Sequence, residues 1–151
     1  MYEMLTLPRC DAFLLISTPV TTCWLRLHDA WNEKGAITQM TELDNLLSDS
    51  PTLAARNILT RSCLSNGRST YENGPYAIQV IPKAVMLLNM DIYMVVAQWV
   101  PEQGQEIILA DISPSQICVA LSGGTVVLLH IIGNDIKEQS YVFFSRVVLC
   151  N

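Results

Sequence analysis

Residues 99–131 decide the fold, and they read WVPEQGQEIILADISPSQICVALSGGTVVLLHI. Three short apolar segments follow one another here, and residues typical of turns precede each of them, at 101–105, 113–115 and 122–124. A glycine pair such as Gly123-Gly124 supplies the positive φ angles that tight hairpin turns require. The stretch therefore predicts three consecutive antiparallel strands, a β-meander.

The same layout of apolar strand, tight turn and apolar strand occurs three times in the chain, at residues 12–28, 76–91 and 115–131. These segments are rich in Val, Ile, Leu and Thr and lack the i, i+3, i+4 spacing of a helix. The second and third begin about 39 residues apart, close to the period of propeller blades. The repeat predicts a series of β-hairpins belonging to blades.

The segments between the hairpins complete this prediction. Residues 36–42, 94–100 and 107–112 have the composition of further strands. Residues 43–50 are polar and acidic, and we expect a turn or a short helical loop there. Residues 52–62 fit either a helix or a blade strand. Strand after strand without a long connecting helix indicates antiparallel sheets.

We therefore predict an all-β protein, an incomplete β-propeller of about two to three antiparallel four-stranded blades. The predicted organisation is an N-terminal extension at 1–11, a partial propeller at 12–136 with a loop at 60–75, and a divergent C-terminal tail or strand at 137–151. An open stack of blades leaves apolar faces and strand edges exposed. We therefore expect a fragment, either a truncated gene model or a shortened paralogue, that is poorly soluble or molten when expressed alone.

Composition and charge narrow the classes of function. Half of the 151 residues are hydrophobic and 15% are charged, which predicts one domain with a large buried fraction. The net charge is −5, and the lysines and arginines are scattered, whereas phosphate binding requires clustered cations. We expect no direct nucleic-acid binding. We also expect no membrane partner, because no apolar run reaches the ~18–20 residues of a membrane span. The N-terminus has no basic start, which predicts a soluble intracellular protein.

The cysteines and acidic residues do not predict a metal site. Zinc sites require paired ligands at short spacing, and the chain has no CxxC motif. Glu42, Asp44 and Asp49 lack the spacing of a calcium-binding loop. We expect buried, reduced thiols, since apolar strands surround two of the five cysteines, Cys23 and Cys118. The other three are Cys10, Cys63 and Cys150.

Catalytic motifs are likewise missing from the sequence. His28 and His130, the two histidines, each end a predicted strand, where we expect half-exposed structural side chains, and there is no GxSxG motif. Ser122 begins a hairpin turn rather than a phosphate loop, because a strand follows it and no lysine is present. Trp99 is expected to pack between strands or blades with its N–H on a carbonyl, or to anchor a partner. We predict no enzyme and no catalytic, cofactor-binding or metal-binding residue, and assign no binding residues.

Seven short sequence segments occur along the chain in an order that is similar to their order in one protein family. This order resembles the second β-propeller of three large scaffold proteins, namely the large subunit of the damaged-DNA-binding complex, the large subunit of the cleavage and polyadenylation specificity factor, and the third subunit of splicing factor 3b. The similarity covers about residues 12–136, and 98–101 and 110–121 look most like the first of these. The landmarks are 40–44 (MTELD), 50–58 (SPTLAARNI), 78–82 (IQVIP), 85–88 (VMLL), 98–101 (QWVP), 115–116 (SQ) and 121–124 (LSGG).

This resemblance implies a non-enzymatic protein-interaction scaffold with no cofactor. By resemblance to the damaged-DNA-binding subunit, whose second propeller faces the cullin, we expect a ubiquitin-ligase adaptor segment in DNA repair. The alternative is a segment of an RNA-processing scaffold, in splicing or in mRNA cleavage and polyadenylation. A small β-rich enzyme and a non-functional gene fragment are further alternatives. The expected partners are cullin-type ligase or RNA-processing subunits, and the expected location is the nucleus, with the cytoplasm as a second compartment.

Overall fold

The computed structural model describes residues 2–6, 12–28, 39–63, 65–67 and 69–143. These residues form three four-stranded antiparallel sheets, each built from four consecutive strands. The predicted all-β fold, an incomplete β-propeller of about two to three blades, is confirmed, with three blades among the described residues. The strands are β1 (Tyr2–Thr6), β2 (Ala12–Ser17), β3 (Thr22–His28) and β4 (Gln39–Glu42) in the first blade, β5 (Ala54–Cys63), β6 (Ser69–Ile81), β7 (Ala84–Asn89) and β8 (Met94–Trp99) in the second, and β9 (Ile107–Ile112), β10 (Gln116–Leu121), β11 (Thr125–Ile132) and β12 (Asp135–Phe143) in the third.

The three blades stack in one orientation. Within each sheet the strands lie in chain order, so the first and fourth strands are its edges. Strand β5 lies against both β1 and β9, which places the first strands of the blades together. The fourth strands β8 and β12 also lie together. Corresponding edges therefore meet, as they do around the axis of a propeller.

The second blade lies between the other two, so side chains that alternate along β6 and β7 enter a core on each face. In β6, Ala77 and Gln79 face the first blade, whereas Ile78 and Val80 face the third. The core between the first and second blades contains Phe13, Leu15, Trp24, Leu43, Leu46, Ala55, Ala77, Leu88 and Met90. The core between the second and third blades contains Ile78, Val80, Val85, Leu87, Ile107, Ile112, Ile117, Val119, Leu121, Val127, Leu129 and Ile136.

A buried chain of polar side chains crosses the interface of the first and second blades. Trp24 Nε1 donates to Gln79 Oε1 at 3.0 Å, and Gln79 Nε2 donates to Thr52 Oγ1 at 2.9 Å. Thr52 Oγ1 lies 2.9 Å from Thr22 Oγ1, which also lies 2.9 Å from the carbonyl oxygen of Ser50. These bonds connect a strand of each blade to the segment that joins them.

The three predicted hairpins are confirmed as β2–β3, β6–β7 and β10–β11. Pro82 and Lys83 form the turn of the second hairpin, and residues 122–124 form that of the third, with Gly124 at φ +85°. The meander predicted at 99–131 is confirmed as β9, β10 and β11. The short helical loop expected at 43–50 contains one turn of 3₁₀ helix, Asp44–Leu46.

The expectation of a loop at residues 60–75 is wrong, because most of this segment lies in paired strands. Strand β5 continues to Cys63 and β6 begins at Ser69, and the two pair from Leu59↔Asn73 to Cys63↔Ser69. Gly67, at φ +77°, lies in the short connection between them. The polar sequence indicated a loop, but backbone hydrogen bonds, which do not depend on apolar side chains, hold this two-stranded ribbon together. Its Thr and Tyr residues also favour strand conformation, despite the residues typical of turns.

Both ends of the predicted propeller also differ from expectation. Tyr2–Thr6, assigned to an extension at 1–11, is strand β1 and pairs along β2. Residues 52–62, for which the sequence fitted either a helix or a strand, form most of strand β5. Part of the expected tail at 137–151 lies in β12, which ends at Phe143, and 144–151 lie outside the described residues. Within the described parts of the chain, no helix has the length and apolarity that crossing a membrane requires.

Candidate protein-interaction site

A cavity of about 160 Å³ lies where the fourth strand of the second blade meets the third blade. Trp99, the last residue of β8, pairs with Val85 and so lies on the face that the second blade turns toward the third. Trp99 thereby forms one wall of the cavity. The lining residues are Trp99, Glu102, Gln105, Leu121, Thr125, Val127 and Glu138.

The floor of this cavity is apolar, and its mouth is acidic. Leu121 and Val127 are buried and come from β10 and β11, whose alternate residues point into the core between the blades. Trp99 Nε1 donates to Glu138 Oε2 on β12 at 3.3 Å. Glu102 and Glu138 are both exposed. The cavity therefore has an apolar base and a negatively charged entrance.

The loop between β8 and β9 closes one side of the cavity, contains a hydrogen-bonded turn and is fastened at its β9 end. Gln105 N donates to the carbonyl oxygen of Glu102 at 3.1 Å, and Gly104 at φ +85° allows this turn. Glu106 N donates to Ser122 Oγ at 3.0 Å, and Ser122 N donates to the carbonyl oxygen of Glu106 at 2.8 Å. The loop is therefore fastened to the β10–β11 turn.

Gln105, one of the lining residues, carries a side-chain oxygen without a hydrogen-bond partner among the described residues. This atom, Oε1, is buried. A Cβ on Gly123 would lie 3.0 Å from this oxygen, so glycine permits the close approach. A buried carbonyl oxygen without a donor is costly for the folded state.

A second surface feature lies on the outer edge of the second blade. We call Ile92, Met94, Val95 and Val96 the β8 strip. All four side chains are exposed, by 54%, 52%, 39% and 37% respectively. Three of them belong to β8, which pairs with β7 on one side and is an edge of its sheet. An exposed apolar row on a strand edge is typical of surfaces that bind other chains.

The structure places the two histidines in different blades. His28 ends β3 in the first blade, and His130 lies within β11 in the third. His130 is half-buried, and its Nε2 lies 2.6 Å from Nε2 of its cross-strand neighbour Gln116. The turn expected at 122–125 is the β10–β11 hairpin turn.

Two details differ from the sequence-based expectations. The indole of Trp99 packs between blades as expected, but its hydrogen-bond acceptor is the carboxylate of Glu138 and not a carbonyl. Cys118 is exposed and not buried, because it lies on the outward face of the third blade. Cys23 is half-buried, and burial, with a smaller effect of the Glu42 charge, raises the pKa of its thiol above 9.0.

The remaining cysteines and acidic residues named in the sequence analysis form no site among the described residues. Cys10 and Cys150 lie outside the described residues, and so does the side chain of Cys63. Glu42, Asp44 and Asp49 are exposed. Among the residues that the structure describes, no group of three or more His, Cys, Asp or Glu side chains could hold a metal ion.

Sequence reasoning missed Glu138, Gln105 and the β8 strip. Glu138 follows Trp99 by 39 positions, so nothing local links them. The apolar run at 94–97 was available as a signal, since the strand prediction at 94–100 already noted it. A run of apolar residues fits a buried strand equally well, however, and only the position of β8 at a sheet edge identifies it as surface.

The comparisons with known proteins bear on the whole chain. Residues 3–150 match the family model described as the RSE1/DDB1/CPSF1 second beta-propeller, which confirms the resemblance found in the sequence. A search among curated proteins finds no match. The match spans nearly the entire chain and agrees with three stacked four-stranded sheets. The chain therefore belongs to the RSE1/DDB1/CPSF1 family and carries sequence of its second β-propeller.

Proposed function

We propose that this protein is a segment of a nuclear interaction scaffold that binds a cullin-type ubiquitin-ligase subunit, and that it serves as a ligase adaptor in DNA repair. Its family, which consists of propeller scaffolds, supports the general role. Among the described features, the β8 strip carries the proposal of a protein partner. A scaffold acts through surfaces that remain apolar and exposed until a partner covers them.

The physical case for the strip rests on its side chains and on its backbone. Met94, Val95 and Val96 would each lose water-exposed apolar area on binding, at roughly 25 cal/mol per Å². Since β8 is a sheet edge, its outward N–H and C=O groups also offer hydrogen bonds to an approaching strand or loop. Strand β8 (Met94–Trp99) contains no lysine, aspartate or proline of the kind that protects edge strands from association.

The second candidate is a segment of an RNA-processing scaffold in splicing or in mRNA cleavage and polyadenylation. The matched family description groups RSE1 and CPSF1 with DDB1, and this favours the candidate. The same strip would then bind a protein subunit of those assemblies. The two candidates differ only in the identity of the partner, so a direct comparison of purified partners separates them.

The test is a pull-down with the tagged full chain against a purified cullin-type subunit and, in parallel, purified splicing and polyadenylation subunits. We expect saturable capture of the cullin-type subunit. Val96→Lys should weaken it, because the ammonium would have to be desolvated on binding. The matched control is Val20→Lys, at a valine that is 68% exposed on the β2–β3 turn of the first blade. Capture of only the RNA-processing subunits would refute the adaptor role, and equal binding by both variants would refute the strip.

A further inference from the structure

We infer that two copies of this chain close into one six-bladed ring, in which the third blade of each copy packs on the first blade of the other. Each of these two outer blades packs on the second blade through one face only. Among the described strands, no sheet packs on the opposite face of either blade. Both of these faces lie outside the β8 strip, so the pairing is independent of the proposed function.

The opposite face of the third blade is apolar. Cys118 pairs with Leu128, and Ala120 pairs with both Leu109 and Val126, so these side chains share one face of the sheet. They alternate with the residues of β10 and β11 that enter the core toward the second blade. Leu109 is 69% exposed there. We call Leu109, Cys118, Ala120, Val126 and Leu128 the third-blade open face.

The opposite face of the first blade is apolar as well. Leu14 pairs with Leu25 and Ile16 pairs with Cys23, and all four side chains are half-buried. They alternate with the residues of β2 and β3 that enter the core toward the second blade. We call Leu14, Ile16, Cys23 and Leu25 the first-blade open face. Stacks of repeated units require polar outer faces at their ends for solubility, and neither of these residue sets is polar.

The third-blade open face occupies the register of a face that is already an interface. In the second blade, Val80 and Ile78 lie two and four residues before the hairpin turn at 82–83, and they pack against the third blade. In the third blade, Ala120 and Cys118 lie two and four residues before the turn at 122–124. The third blade therefore presents, on its open side, the positions through which the second blade packs on its neighbour.

The first-blade open face matches the other half of that interface. The first hairpin turns at residues 19–20, since the residues on either side of them share a backbone hydrogen bond of 2.8 Å. Ile16 and Leu14 lie three and five residues before this turn, as Val119 and Ile117 do before the turn of the third blade. Val119 and Ile117 pack on the second blade. A first blade placed on the third-blade open face would therefore repeat the interface of the second and third blades.

A second copy of this chain supplies the matching face for each open face. The three blades stack in one orientation, with their first strands together and their fourth strands together, so further blades extend the same stack around its axis. Two copies give six blades, within the range of about four to eight blades in closed propellers. The contact joins two different faces, and such contacts form a closed ring when the rotation between copies completes a turn. One partner molecule thereby covers both apolar faces.

Sedimentation equilibrium of the full chain over a series of micromolar concentrations tests the ring. We expect a reversible transition from the 16.8 kDa of one chain to twice that mass, without larger species, because the closed ring leaves neither face free. Single chains at every concentration would overturn the inference and would mean that the chain itself or a different partner covers these faces. A mass that continues to rise with concentration would also overturn it, because the faces would then join without closing.

Lysine substitutions locate the contact. Leu109→Lys should raise the dissociation constant about tenfold or more, because an ammonium would have to be desolvated on pairing, while its exposed position leaves the single chain intact. Leu25→Lys should act in the same way from the first blade. Val96→Lys places the same charge on the second blade, outside both faces, and should leave the constant unchanged. If only Leu109→Lys weakens pairing, and circular dichroism shows that Leu25→Lys is folded, third blades pack on each other and the inferred pairing is refuted.

Cys118 reports the same contact without a substitution. Its thiol is exposed in the single chain and lies on the third-blade open face, which the ring covers. The rate of its alkylation by iodoacetamide should therefore fall as the protein concentration rises through the transition, in proportion to the single chains that remain. The thiol introduced by Val96→Cys on the second blade should react at a constant rate. A constant rate at Cys118 while the mass doubles would place the contact elsewhere and refute the inference.

Discussion

Trp24 of the first blade donates its indole N–H to Oε1 of Gln79 in the second blade over 3.0 Å, and both side chains are fully buried. Gln79 lies between Ile78 and Val80 in a strand that is otherwise apolar here. Its amide satisfies the indole on one side and Thr52 Oγ1 on the other. The pair therefore fixes how the two blades face each other, which apolar packing alone leaves less sharply defined.

The first prediction is that Gln79→Met destabilises the chain. Methionine has a similar size but leaves the Trp24 N–H without an acceptor and Thr52 without its amide donor. A buried group that loses its partner costs about 1–3 kcal/mol of unfolding free energy. Urea unfolding at low protein concentration, followed by tryptophan fluorescence, measures the change. The control is Gln98→Met at an exposed position of β8, which should leave the midpoint unchanged. Equal midpoints for the two variants would contradict the role of the pair.

The second prediction concerns the outward face of the third blade. Leu109, which is 69% exposed, shares this face with Cys118 and Val142. An apolar sheet face of this kind drives self-association in solution. We expect Leu109→Lys to raise the protein concentration at which light scattering begins. Val20→Lys adds the same charge on an exposed turn of the first blade and should raise it less. If both variants behave alike, net charge and not this face controls solubility.

The hairpins could be predicted from sequence because their signals are local. In β10, Ile117, Val119 and Leu121 alternate with smaller or polar residues, and the glycine pair that follows ends the strand. Alternation and turn chemistry act within about ten residues, so a single sequence displays both. The family resemblance added the order of the hairpins along the chain.

The remaining features depend on packing between blades, which local patterns do not encode. Cys118 and Ile117 have comparable hydrophobic character, yet one is exposed and the other buried, because only one face of the third blade meets the second. The same applies to Trp99 and Glu138, which become neighbours only when β8 and β12 lie together. The cavity that both residues line could therefore not be predicted from the sequence.

The third prediction is that iodoacetamide alkylates Cys118 before Cys23 at pH 7.5. Cys118 is exposed, whereas burial and the nearby charge of Glu42 raise the pKa of the Cys23 thiol above 9.0. A raised pKa reduces the fraction of reactive thiolate at neutral pH, and the rate at Cys23 should rise with pH until the pH exceeds its pKa and then level off. Mass spectrometry of tryptic peptides resolves the two sites.

Glu42→Gln provides the internal check on Cys23. Removal of the carboxylate should lower the pKa of the thiol and speed its alkylation modestly, since burial is the larger cause of the shift. The rate at Cys118 in another blade should not change. In denaturant the two cysteines should react at similar rates. A faster reaction at Cys23 than at Cys118 in the folded chain would be inconsistent with the described faces of β3 and β10.

The fourth prediction is that Asp135 titrates below its ordinary pKa of 3.8. Its carboxylate accepts a hydrogen bond from Lys137, pairs with its charge, and accepts the backbone N–H of Ile136 at 2.8 Å, and these contacts favour the ionised form. Because the pKa is lower in the folded state than in the unfolded state, the stabilisation is fully present above about pH 3.8 and is lost as the pH falls through the lower, folded value. NMR titration of the carboxyl carbon measures the midpoint. Lys137→Met should raise it toward 3.8, whereas Lys83→Met in the second blade should not, and an unchanged midpoint in Lys137→Met would show that Lys137 does not set this pKa.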